Sequence, residues 1–469
     1  MRPAALLTLP FALSACTVAG PDYHVPETAV ATSAAAARPF SAATGTAISQ
    51  APLPDRWWRL YDDPRLDRLV ERALAANADL RAADANLRRA AALTAQTAAG
   101  RTLSTSVSGG ADLSRPASTG YSLPGILGYD VGIGAGLPLD LSGKVTRAIE
   151  ASRANEEAVR AARDDLRVTV AAAVTRAYAG VCSANHGLAT NRAVAALQRK
   201  TLDATRRLQR GGRGTAFDVT RAQAAVDRID ASLPVFEARR QTNLFLIATL
   251  MGDAPADYPR DVADCTDIPT LTVPLPTGDG AALLRRRPDI RAAERRLASD
   301  TALIGVETAD LYPQVSIGGS LGLSGPFKSI GSGDSLSFGL GPLLSWSFPN
   351  RPVVKARIAA AGAQAEADAA IFDATVLQAL RETETALTTY THDRARSLAL
   401  EKARDSAATA SGQAARLFRF GRSDFLDLLD AQAGLAEAEA ALAAADGTLV
   451  DDQISIFLAL GGGWNDADR

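Results

Sequence analysis

The residues best able to do chemistry in this chain are its three histidines and three cysteines. His24, His186 and His392 are scattered, and no spacing among them converges on a metal ion. Gly132-Ile133-Gly134-Ala135-Gly136 is rich enough in glycine to suggest a dinucleotide loop, but apolar residues alternate through it as in a strand, so that reading fails. Gly143-Lys144 has Pro138 where a phosphate loop needs its first glycine and Val145 where it needs Ser or Thr. No cofactor, no metal and no enzymatic activity are expected. The one covalent site with a motif behind it is Cys16. Arg2 supplies a short positive region and Ala4 to Ala12 an apolar one too short to span a bilayer, and Leu13-Ser14-Ala15-Cys16 reads as a lipobox. Residues 1–15 are then a signal peptide and Cys16 carries a diacylglycerol; the alternative is an ordinary signal peptide with an incidental cysteine. Acyl chains contribute ~0.8 kcal/mol per buried CH₂, so such a cysteine anchors strongly. Cys182 and Cys265 remain, an even number in an exported and therefore disulfide-permissive chain.

The elements that must position these residues are written twice. Residues 78–93 read ADLRAADANLRRAAAL and residues 288–303 read PDIRAAERRLASDTAL. Gly212, Asp218, Ala222 and Gln223 return 209 positions later as Gly421, Asp427, Ala431 and Gln432. Self-similarity over a half-chain means one architectural unit used twice. A chain of 469 residues is long enough for about three ordinary domains, but the repeat favours two copies of one long unit. Net charge is −2, which argues against nucleic acid and other strongly charged partners, and aromatics are only 5% of residues, which suits close-packed helices. The expected organisation is a lipidated arm over 16–56, a first repeat over 57–252, a linker over 253–287, a second repeat over 288–461 and a tail over 462–469. The arm is rich in Pro, Ala, Ser and Thr, has no period, and reads as an extended arm or linker.

Four stretches alternate apolar with small or polar residues: about 102–114, 128–140, 313–325 and 334–348. In the last, Leu336, Phe338, Leu340 and Leu344 face one way while Ser337, Gly339 and Ser345 face the other. Alternation over ~10 residues matches a transmembrane β-strand, apolar to lipid and polar to a lumen; four half-buried strands of a soluble sandwich are the bland alternative. Because ~8 strands are the usual minimum for closure and an open edge in lipid is forbidden, four strands require other copies of the chain.

Each strand pair is followed by a long helical run, 144–209 and 353–418, ~100 Å at ~1.5 Å per residue. Each run ends at a glycine, Gly212 or Gly421, placed to cap it in a left-handed conformation. Return helices follow: Leu428, Leu435, Leu442, Leu449 and Ile456 keep a seven-residue spacing, and the first copy is interrupted by Pro234, where a kink is expected. Arg206, Arg207, Arg210 and Arg213 crowd the first turn and Arg416, Arg419 and Arg422 the second. The fold class is α+β, each repeat a short helix, β-hairpin, long helix, tip turn and short helix, with the strands at one end and the glycine turns at the other.

The Cys16 lipobox, Gly20-Pro21-Asp22-Tyr23, Trp57-Trp58 with Asp63-Pro64, the run Arg285 to Glu294 and the segment Gly421 to Gln432 together resemble the TolC-like outer-membrane efflux family, in its OprM-like and NodT-like lipoprotein branch. The resemblance covers essentially the whole chain. It implies a homotrimer with a 12-stranded β-barrel and a long α-helical barrel, set in the outer membrane of a Gram-negative bacterium with its helices in the periplasm. It implies an exit duct for small molecules in a tripartite pump, partnered by a periplasmic adaptor and an inner-membrane RND-type transporter, with outer-membrane lipid around the barrel. It also implies that the tips, with Gly212, Gly421, Arg210, Arg213, Arg419 and Arg422, meet the adaptor, and that Asp427 and Asp430, with Asp218 as first-repeat counterpart, line the periplasmic aperture. Solvated helix starts are the alternative for those aspartates. The sequence departs from some members in having Ser423 where a basic latch residue can stand. A belt over 253–287 would bring Cys265 to Cys182 for a disulfide, with two separate thiols as the alternative. The competing reading of the chain is a periplasmic adaptor lipoprotein, which has one hairpin and soluble β-domains rather than two hairpins and four lipid-type strands. A trimeric stalk is a third reading, made poor by the helices between the strand pairs.

Overall fold

The computed structural model describes residues 18–43, 45–115, 125–348 and 351–462. Cys16 and the signal segment lie outside them. The chain divides into two compact units. The first holds the chain up to Pro26, Asn86–Arg160 and Ala292–Phe372; the second holds Glu27–Ala85, Ala161–Arg291 and the chain from Asp373 on.

The first unit contains the sheet. Strands β1 (Ser104–Ser114), β2 (Ile126–Leu139), β3 (Gln314–Pro326) and β4 (Leu336–Ser345) run antiparallel in the order β1-β2-β3-β4. Their bounds differ from the sequence expectation by a few residues: β4 ends at Ser345, which leaves Trp346 and Phe348 beyond it. Where β2 gives way to the next helix, Asp140 accepts from the backbone N–H groups of Val145 (2.9 Å) and Thr146 (2.7 Å). The segment Val18–Asp22 locks in beside this turn. Arg147, with only 5% of its side chain exposed, donates to the carbonyls of Ala19 and Gly20 and to the carboxylates of Asp22 and Glu150. Gly20, at φ +81°, passes so close to Gly305 that a Cβ would sit 2.4 Å from its Cα. A buried guanidinium is tolerable only because it is fully paired.

The α-helices of more than one turn are α1 (Pro64–Ala76), α2 (Ala78–Ala99), α3 (Lys144–Arg210), α4 (Ala216–Asp230), α5 (Leu233–Leu250), α6 (Gly280–Arg286), α7 (Pro288–Ala309), α8 (Arg351–Arg419) and α9 (Phe425–Ala459). Asp63 caps α1 by accepting from Arg65 N (2.8 Å), and Pro64 takes the first helical position, where its missing N–H costs nothing. The pattern that reads as helical from there to about Gly100 breaks at Asn77. Its Oδ1 accepts from the N–H groups of Asp79 and Leu80 and its Nδ2 donates to Leu250 O at the end of α5. The second repeat does the same with a different residue: Arg287 donates to Ala459 O at the end of α9 (2.8 Å) while pairing with Asp289 and Glu382. Each return helix is thus tied by its last carbonyl to the start of a short one. The return of the first hairpin is interrupted more sharply than a kink. Proline lacks an N–H and clashes with the carbonyl four residues back, and for Pro234 that residue is Asp230, where α4 stops.

In the second unit Trp57, fully buried, stacks on Phe457 with ring centroids 4.6 Å apart, and Tyr61 meets the same ring edge-on. The arm is no free linker. Glu384 accepts from the backbone N–H groups of Ser41 (2.7 Å) and Ala42 (3.0 Å), Asp373 accepts from Val30 N, and Ile48–Ser49 pair in parallel with Leu275–Pro276. No described helix is long and apolar enough to cross a membrane.

Candidate functional site

The register of the sheet sorts most of its residues by face. Val107 opposes Ile133, Ile133 opposes Leu321, and Leu321 opposes Phe338. The next rows carry Val131, Leu323 and Leu336 on the same side, and Ser106, Gly134, Ser320 and Gly339 on the other. One face is therefore continuously apolar. It is also bare: Val107 is 79% exposed and Phe338 and Leu340 83% each. A soluble monomer rarely shows so large a contiguous apolar patch. The opposite face is mostly serine and glycine, with Asp112 and Asp130, and with Ile126 and Leu343 as apolar exceptions. The outer edges of β1 and β4 pair with no other described strand. Tyr312, Trp346 and Phe348 gather at one end of the sheet, the latter two rings 5.2 Å apart, as an aromatic girdle does at a membrane–water boundary.

The second cluster lies in the second unit, where the two long helices turn back. Both turns are closed by one device. Arg213 N donates to Leu208 O and Arg422 N to Leu417 O, both at 2.9 Å, around Gly212 at φ +70° and Gly421 at φ +68°. Nothing lies within 4 Å of a Cβ added to either glycine, so the backbone conformation alone requires it. The helix that follows starts at Thr215 or Asp424, again 209 positions apart. Thr215 forms a reciprocal capping box with Asp218, whose carboxylate accepts from Thr215 Oγ1 (2.7 Å) and N (2.9 Å); these bonds hold Asp218 below the usual carboxylate range. Asp424 accepts from Asp427 N (2.9 Å). Asp427 and Asp430 follow one turn apart, both exposed. Capping accounts for Asp218 locally; no described bond accounts for the carboxylates of Asp427 and Asp430.

The tips carry more than the arginines read from sequence. Arg206 donates to Gln223 Oε1 (2.9 Å) and Arg210 reaches back to Arg206 O (3.4 Å). Arg207, Arg213, Arg416, Arg419 and Arg422 have no ion-pair partner among the described residues. Near them stand Phe217 (66% exposed) and Phe420 (74% exposed), which sequence reasoning passed over; for Phe420, an aromatic beside a turn glycine was the available signal. The two hairpins join just behind their turns, where Phe425 and Val219 cover Leu202, Ala222 and Val226, and Thr201 bonds Gln432.

Also in the second unit, Cys182 and Cys265 form a disulfide with their Cα atoms 4.8 Å apart, and both are buried. A cleft of about 550 Å³ between α3, α8 and α9 is lined by Asp165, Arg287, Asp289, Glu382 and Asp452. Burial, then the charge of Asp289, raises the Asp165 carboxyl, and burial with the charges of Asp393 and Asp451 pushes Asp452 up to about 6.

The family model described as "Outer membrane efflux protein" matches residues 69–253 and 281–462, one stretch in each repeat. The chain belongs to the outer membrane efflux protein family. It is 27% identical over 470 residues to Nodulation protein T of Rhizobium leguminosarum bv. trifolii, covering 97% of this chain and 96% of that one. It is 28% identical over 473 residues to Outer membrane protein OprJ of Pseudomonas aeruginosa, covering 98% and 95%. Among solved structures it resembles the outer-membrane channel OprN, with TM-score 0.88 and 36% identity over 95% of this chain and 99% of that one. The chain is an outer-membrane channel component of an efflux system, and the adaptor alternative is not favoured.

Proposed function

We propose that three copies of this chain close a 12-stranded barrel in the outer membrane and continue as an α-helical duct through the periplasm. Cys16 anchors the chain in lipid. A periplasmic adaptor and an inner-membrane RND-type transporter complete the pump, and the duct releases small molecules outside the cell. The observation that carries this reading is the four-stranded sheet, with one bare apolar face and two unpaired edges. Lipid offers no partner for an edge N–H or C=O, so such a sheet persists in a membrane only when other strands close it. Three copies of four strands give 12 without an edge. The tips suit the adaptor because unpaired guanidinium groups beside exposed phenylalanines offer both charge and apolar area.

Detergent-extracted protein should have the mass of a trimer and conduct ions in a planar bilayer, and its mature N-terminus should be a diacylglyceryl cysteine. A protein that stays monomeric and soluble without detergent would sink the barrel. An unmodified N-terminus at another residue would sink the anchor alone.

A further inference from the structure

The disulfide occupies one particular place in the repeat. Cys182 lies on α3 and Cys265 on the linker after α5, 83 positions apart in sequence. The loop they close holds the distal part of α3, the Gly212 turn, α4 and α5, which is the whole first hairpin. The same face of α3 grips the linker above and below the sulfurs. Asn185 donates from Nδ2 to Ala263 O (2.8 Å) and Cys265 O (2.7 Å). Tyr178, one turn earlier, lies with its hydroxyl 3.6 Å from the Cys265 sulfur and donates to Asp63, the cap of α1. Between Asp253 and Leu275 the linker also meets the body through buried Val262, the Phe245–Tyr258 ring contact and the ion pairs Arg72–Asp253 and Arg68–Asp261, the last on exposed side chains of the kind that hold weakly. The second repeat has no such clasp. Leu387, Thr391 and Arg394 stand 209 positions after Tyr178, Cys182 and Asn185.

We propose that oxidation of Cys182 and Cys265 is a required step in building this channel, that the bond is the covalent clasp of the first hairpin's stem, and that the chain is a client of a periplasmic thiol oxidase. The proposal rests on the reading of an exported chain whose helices stand in the periplasm. In the step, the two thiols lose two protons and two electrons and the Sγ–Sγ bond forms. The electrons reduce the disulfide of the oxidase to its dithiol, which takes up the two protons. Both sulfurs are buried in the finished fold, at 0% and 1% exposure, so oxidation belongs to folding rather than to a switch in the assembled duct.

The test uses the unaltered chain, made in cells with and without their periplasmic thiol oxidase and, in the second case, with cystine added to the medium. Without the oxidase, a thiol-reactive polymer should label two cysteines in denatured, unreduced protein, and none when the oxidase or cystine is present. The thiol form should be cut within 253–275 at least tenfold faster by a protease, and its conductance should fall; cystine should restore both. A chain fully oxidised without the oxidase would overturn the client assignment. A chain with both thiols free yet cut and conducting like the oxidised form would overturn the clasp. A Cys182→Ala, Cys265→Val protein protected as well as the oxidised chain would also overturn it, since apolar packing would then suffice. Labelling and proteolysis read the clasp without reference to transport, whereas oxidised, protected protein that fails to conduct would count against the channel reading instead.

Discussion

At the scale of single residues, two kinds of position decide outcomes that their neighbours do not. Gly421 sits at φ +68° with open space around it, so a β-branched residue there meets backbone strain and no clash. Strain in that region costs roughly 1–3 kcal/mol. Gly421→Val should therefore loosen the tip locally while leaving the melting temperature of the whole protein within a few degrees. The loss should appear as weaker co-purification of the adaptor and lower export; a variant that assembles and exports like the parent would refute the role given to this turn. Carboxyls forced together are the second kind. Burial, then hydrogen bonding to Asp368 and its charge, pushes Asp300 up to about 6, and burial with Asp393 and Asp451 does the same to Asp452; Arg176, the nearby cation on α3, is engaged by Asp451. A carboxyl whose folded pKa exceeds its unfolded value of about 3.9 favours the fold when protonated. Stability contributed by these groups is complete below about 4 and is lost as pH rises through about 6. Asp452→Asn should raise the melting temperature at pH 7 and flatten its dependence between those values. An unchanged profile would show that the pair is relaxed by solvent. Partial exposure keeps the gain below about 1 kcal/mol.

At the scale of elements, the period of the sequence was the reliable guide, and side chains acting on backbone were the unreadable part. Alternation placed Phe338, Leu340 and Leu344 on one face of β4, and the structure gives the same sorting across the four strands apart from Leu343 and Ile126 on the polar face. The glycines at 209-residue spacing fixed where the long helices stop, because a left-handed cap has few alternatives. By contrast, the pattern is helical from Pro64 to about Gly100, and nothing local in it shows that Asn77 turns its side chain to cap α2 and hold the end of α5. The arm read as a linker because its anchors, Asp373 and Glu384, lie more than 300 positions away in the chain. Phe217 and Phe420 were passed over because periodic patterns report burial, and these two are exposed. The face assignment has a direct consequence. Arg at a lipid-facing barrel position costs ~2–4 kcal/mol at the bilayer midplane, whereas a lumen position costs little. Phe338→Arg should sharply reduce the yield of outer-membrane trimer, and Ser337→Arg, its neighbour on the polar face, should leave it near normal. Equal yields would reverse or void the assignment of faces.

At the scale of the whole molecule, what was legible was a family and what was not was a ring. Each chain presents Asp427 and Asp430 once, exposed and one turn apart at the start of α9, and a single copy gives no reason for them beyond the favourable N-terminal dipole. Three-fold assembly would change their meaning. Each aspartate would become a ring of three like charges around the duct mouth, which repel one another and draw cations to the aperture. A closed mouth would then need counter-charge. Arg207, Arg213, Arg416, Arg419 and Arg422 have no ion-pair partner among the described residues and could supply it from a neighbouring copy. Ser423 cannot, although its hydroxyl is buried there without a described partner. The first repeat would contribute less, because Asp218 spends its carboxylate on Thr215. The expected result for Asp427→Ala with Asp430→Ala is a higher or reshaped single-channel conductance and weaker block by divalent cations added at the periplasmic mouth, with trimer mass and thermal stability unchanged. Asp218→Asn should instead weaken the capping box slightly and leave conductance alone. If the double variant conducts and is blocked like the parent, the aperture is set by other residues and the two aspartates are ordinary helix starts.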